Sequence, residues 1–89
     1  MGLTGGYELE WIEPDTVVQL NKAGEMVGSA ILLFGQWSGT YHPGGFGFHH
    51  LANGNDPRIT DKRGNLVEAD DYMEILVMIK ARHEAQNPV

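Results

Sequence analysis

The stretch that most limits how this chain can fold is residues 72 to 82, YMEILVMIKAR, which is apolar at nearly every position. A run like this has to be covered, and its period decides by what. On a helical wheel Tyr72, Met73, Ile75, Leu76, Val77, Met78 and Ile79 surround the whole circumference. Read as a strand, Met73, Ile75, Val77, Ile79 and Ala81 share one wholly apolar face, and Tyr72, Glu74, Leu76, Met78, Lys80 and Arg82 form a mixed one. Period two fits better, and the β-branched Ile75, Val77 and Ile79 on a single face agree with it, because branching at Cβ suits a pleated surface. The opposing reading is a C-terminal helix from about Asp71 to Gln86. It rests on Asp71 followed three residues later by Glu74, a capping-box pattern, and on Lys80, Arg82 and His83 placed to complement a helix C-terminus.

The rest of the chain reads as sheet. In YELEWIE, Tyr7, Leu9 and Trp11 alternate with Glu8 and Glu10, and Pro14 with Asp15 ends the strand. TVVQL (16–20) and MVGSAILLF (26–34) flank NKAGE, where Gly24 can take the positive φ of a short hairpin loop. A similar turn recurs forty residues on: RIT (58–60) and NLVE (65–68) flank DKRG, with Asp61 able to bond its own backbone and Gly64 in the place of Gly24. NKAGEMV and DKRGNLV are therefore one turn chemistry used twice rather than two copies of a functional unit. GQWSGTY is a strand with Trp37, Gly39 and Tyr41 on one face; HPGG turns the chain, FGFHHL returns it, and ANGNDP (52–57) is a loop. The expected fold is mostly β, a small antiparallel barrel or sandwich of six to eight short strands, with α+β as the alternative if residues 71–86 are helical.

With 89 residues the chain supports one domain, 1–89, with residues 1–6 and 83–89 as flexible ends. There is no cysteine to staple it, which together with the absence of a signal peptide at the start MGLTGGYELE points to a cytoplasmic location. No apolar run is long enough to span a bilayer, so no membrane association is expected. If residues 73–79 form a strand apolar on most of both faces, a small domain has little material to cover both sides, and a homodimer is the expected cover.

Twelve acidic residues against six basic ones exclude nucleic acid as an expected partner, since a phosphate backbone needs a basic footprint and only Arg58, Lys62 and Arg63 cluster here. Glu8, Glu10, Glu13 and Asp15 fall in the first fifteen residues with no base among them, so an acidic inhibitor or immunity-like protein would display them as one patch.

The chemistry-bearing segment is Gly35–Gly54, which holds six of the twelve glycines together with Trp37, Tyr41, Phe46, Phe48 and three of the four histidines. Aromatic rings flanked by glycine can line a pocket or anchor an interface, although a domain with eight aromatics needs most of them inside. Trp37, Tyr41, His42, Phe46 and His49 are the candidate binding residues. His42, His49 and His50 could in principle hold a metal or supply a general base. Adjacent histidines in a strand point to opposite faces, however, and no carboxylate stands at a ligand offset, so neither a metal nor another cofactor is expected. No Ser or Thr stands in a nucleophile elbow, PGGFG lacks the lysine of a phosphate loop, and Asp70 and Asp71 diverge if extended. The leading reading is a non-catalytic acidic binding or assembly module contacting a protein or small ligand. Its rivals are a small histidine-dependent or metal-dependent hydrolase and the acidic inhibitor.

Overall fold

The structure is a computed structural model that describes residue 3, residues 5–42 and residues 58–86. Four strands in these residues form one antiparallel sheet in the order β1-β2-β3-β4: β1 (Tyr7–Glu13), β2 (Val17–Lys22), β3 (Glu25–Leu33) and β4 (Gln36–Tyr41). One helix in the described residues, α1 (Tyr72–Gln86), lies against one face of it. The chain is mostly β with a C-terminal helix, as in the α+β alternative. The expectation of six to eight strands closed into a barrel or sandwich is corrected: four strands are described, and the sheet is open.

Turn chemistry sets the meander. Pro14 fixes φ in the first turn, Asp15 takes φ 60, and Thr16 N–H donates to Glu13 C=O at 3.1 Å. The β2–β3 loop is only Ala23–Gly24, at φ 53 and 83, and the β3–β4 loop is Phe34–Gly35, at φ 53 and 80. Two positive φ values in a two-residue loop match the right-handed twist of the strands they join. The DKRG turn behaves as read: Gly64 has φ 85, and Asp61 Oδ1 accepts from the backbone N–H of Arg63 at 2.8 Å and Asn65 at 3.0 Å.

The strand reading of residues 72–82 is also corrected, and the sheet explains why. Ala30 faces Gly39 across the β3–β4 pair, and Gly28 lies on the same face, so the middle of the sheet is a shallow saddle without large side chains. A Cβ on Gly39 would strike Ile75 Cγ2, and one on Gly28 would meet Ile79 Cγ2 at 2.8 Å as well as the backbone oxygen of Thr40. Ile75 and Ile79, one helical turn apart, sink into this saddle with Leu76 and are fully buried. A helix satisfies its own backbone while lying on a sheet face, which a further strand cannot do. Asp71 caps it, its Oδ1 accepting from Met73 N–H at 3.1 Å. The helix continues past residue 83 to Gln86, so the stretch expected as a frayed tail begins inside α1.

The core joins Val18, Leu20, Val27, Ala30 and Ile59 to the three buried helix residues, with aromatic groups at both ends. Trp11, Trp37 and Tyr72 meet edge to face at 5.0–6.2 Å at the helix N-terminus. Tyr7 and Tyr41 flank His83 at the other end. The two sheet edges differ. β4 is capped by the returning chain, with Trp37 and Ala69 exchanging backbone hydrogen bonds at 2.7 and 2.9 Å and Ile59 N–H donating to Gly39 C=O at 2.8 Å. No described residue pairs with the outer edge of β1. No helix among the described residues is long and apolar enough to cross a membrane.

Candidate functional site

Of the five candidate residues, Trp37, Tyr41 and His42 are described, while Phe46 and His49, with the HPGG turn, the FGFHHL return and the ANGNDP loop, lie outside the described residues. Strand alternation sends Trp37 and Tyr41 to the helix side, where both are buried. They are not brought together: Trp37 joins Trp11 and Tyr72, whereas Tyr41 lies under the Arg82 guanidinium at 4.8 Å and beside His83. His42 takes the opposite face and is also fully buried. Its Nε2 lies 3.2 Å from Ser29 Oγ, which in turn lies 3.3 Å from Thr40 Oγ1. The Ser29 hydroxyl, itself bonded to Thr40 on β4, thus contacts the imidazole, while the His42 backbone N–H donates to Val27 C=O at 2.9 Å. Among the described residues no group of three or more His, Cys, Asp or Glu side chains converges as a metal site.

What the described surface does present is apolar and lies at the opposite end of the outer sheet face. Val17 pairs with Ile31 across β2–β3, and Leu33 lies on the same side. Ile12 and Leu33 are each 51% exposed, Ile31 is 38% exposed, and Phe34 at the β3–β4 hairpin tip is wholly exposed at 103%. Among the described residues Phe34 is also one of three non-glycine residues at positive φ and by far the largest of them. Sequence reading placed it at the end of a strand. The available signal was that AILLF is apolar in both alternation phases, which calls for cover on both faces, and that Phe-Gly sits where a two-residue turn fits between two strands.

The outer face of β1 is acidic. Glu8 and Glu10 project from it opposite Asn21 and Gln19, Glu13 and Asp15 follow at its end, and all four are exposed. Glu10 Oε1 accepts from Asn21 Nδ2 at 3.1 Å, and Gln19 Nε2 donates to Asn21 Oδ1 at 2.7 Å, so the carboxylates are flanked by neutral amides. At the far end of the helix side, the Tyr7 hydroxyl lies 2.6 Å from His83 Nδ1, and the Lys22 and Lys80 ammonium groups stand 4.9 and 5.5 Å from its ring. Burial, reinforced by the charges of Glu84 and Tyr41, holds the Tyr7 phenol above its ordinary pKa. Comparison with protein families, with curated proteins and with solved structures finds no match to this chain.

Proposed function

We propose that the chain is a non-catalytic binding and assembly module that contacts protein through Phe34 and the apolar end of the outer sheet face, and that its first assembly is a homodimer. Phe34 is the observation that carries this reading. A bulky side chain held at positive φ, in a turn position that Asn or Gly serves at lower cost, and left uncovered at the end of the strand that carries exposed Ile31 and Leu33, gains nothing from its own chain. Contact with a second surface gives both the exposure and the strain a purpose. A second copy suits the patch because the helix covers the inner side of the sheet while Ile31, Leu33 and Phe34 stay exposed away from it. The dimer therefore no longer depends on residues 72–82, whose main apolar side chains pack within the chain.

The hydrolase reading has the Ser29–His42 contact in its favour. A general base must reach its substrate, however, and an imidazole with no exposed surface bonded to the Ser29 hydroxyl serves better as a structural pin. The inhibitor reading keeps one specific support, the four exposed carboxylates along β1 and its turn.

Sedimentation equilibrium on the wild type and on Phe34→Asn tests the proposal. Asn suits the turn, so the variant folds and any loss belongs to the contact. The expected result is a concentration-dependent dimer for the wild type and a monomer for the variant; a wild type that stays monomeric to millimolar concentration contradicts the assembly.

A further inference from the structure

We infer that the outer edge of β1, with which no described residue pairs, is a docking site for an extended basic segment of another protein, which adds to the sheet next to β1. This is independent of the Phe34 contact and uses a different surface. The first support is the contrast between the two sheet edges. The returning chain caps β4 through Ala69 and Ile59, whereas no described residue pairs with the outer edge of β1 over its seven residues, Tyr7–Glu13. From Tyr7 to Trp11, before the register shift that follows Trp11, this edge presents alternate N–H and C=O groups that an incoming strand can match.

Charge specifies the occupant. Glu8 and Glu10 point from one face of β1 and have only neutral amides, Asn21 and Gln19, across from them on β2. Neither forms an ion pair with a described Lys or Arg; the salt bridge among the described residues joins Lys80 to Glu84. An incoming strand with Lys or Arg at alternate positions places cations directly opposite these carboxylates. On the other face Leu9 is half-buried and Trp11 is exposed, so the intervening positions of the partner should be apolar. The same carboxylates exclude a second copy from this edge, because pairing β1 with itself sets Glu8 and Glu10 against their own equivalents. The partner is thus a segment that alternates basic and apolar residues, and not this chain.

A synthetic peptide of alternating Lys and Val, acetylated and amidated, is the probe. Its binding to the full chain is followed by calorimetry and by amide chemical shifts, with three controls: the same peptide with Glu for Lys, the Lys peptide N-methylated at alternate residues along one hydrogen-bonding edge, and the protein variant Glu8→Lys/Glu10→Lys. The inference expects the Lys peptide to bind with shifts centred on residues 7–13. It expects at least tenfold weaker binding after N-methylation and after the double substitution, with the Glu peptide preferred by the variant. Equal binding of the N-methylated peptide would show plain electrostatic attraction in place of strand addition. That result, shifts centred away from β1, or no binding at all overturns the inference. Thermal unfolding of the double variant confirms that its loss of binding is not a loss of fold.

Discussion

At Phe34 the backbone and the side chain oppose each other: the hairpin wants a residue at ease with φ 53, and the chain supplies a large ring with nothing to rest on. Phe34→Asn should therefore raise stability to urea by about 1 kcal/mol, the scale of a bulky residue's penalty in the left-handed region, while removing association. Stability and function moving in opposite directions is the signature of a contact residue. The polar side chains around buried His42 on the same outer face behave otherwise. Ser29→Ala removes the hydroxyl between His42 and Thr40 and should cost about 1 kcal/mol in urea unfolding, consistent with a structural role. Tyr7 gives a pH signature. Its phenol is neutral at neutral pH, and folding raises its pKa above the ordinary 10.0, mainly through burial. This group's share of stability is thus intact below pH 10 and is lost as pH rises through the folded value. Stability measured from pH 8 to 11 should fall more steeply for the wild type than for Tyr7→Phe.

Among the elements, the seat of α1 on the Gly28–Ala30–Gly39 saddle decides the architecture. Gly39→Ala places a methyl against Ile75, with Ile59 and Ile79 close behind, and should destabilise by roughly 2 kcal/mol, as overpacking a tight core contact does, whereas an alanine at exposed Gly64 is resisted only by its φ of 85. The saddle also shows what could be read from residues alone. The alternation of Tyr7, Leu9 and Trp11, the positive φ of Gly24 and Gly64, and the shared face of Trp37, Gly39 and Tyr41 are local properties, so they were legible. Glycine between aromatics did mark a close approach, but what approaches Gly39 is the helix itself. Residues 72–82 misled because the alternating Ile75, Val77 and Ile79 satisfy both periods, and the choice between them was made by Gly28, Ala30 and Gly39, which are distant in sequence. The exposure of Phe34 stayed hidden because apolar residues in a strand are ordinarily read as core, and turn preference alone does not bring Phe to that position.

At the scale of the molecule, the described sheet and helix present two surface characters, an apolar end of the outer face and an acidic outer edge of β1, on a chain of net charge −6. The two respond to salt in opposite ways. Self-association through the apolar end brings Glu13 and Asp15 of both copies closer, so raising ionic strength should strengthen it; binding of a basic strand at β1 should weaken under the same change. Sedimentation and calorimetry at low and high salt separate the two contacts. The claim on which the account turns is that the outer end of the sheet, and not the buried aromatic face or the helix, is the contact surface. Amide chemical shifts followed across a dilution series test it most directly. The account predicts that the shifts that move are those of residues 17, 31 and 33 to 35. Movement confined to the exposed helix positions Val77 and Met78, or no movement at any concentration, would contradict it.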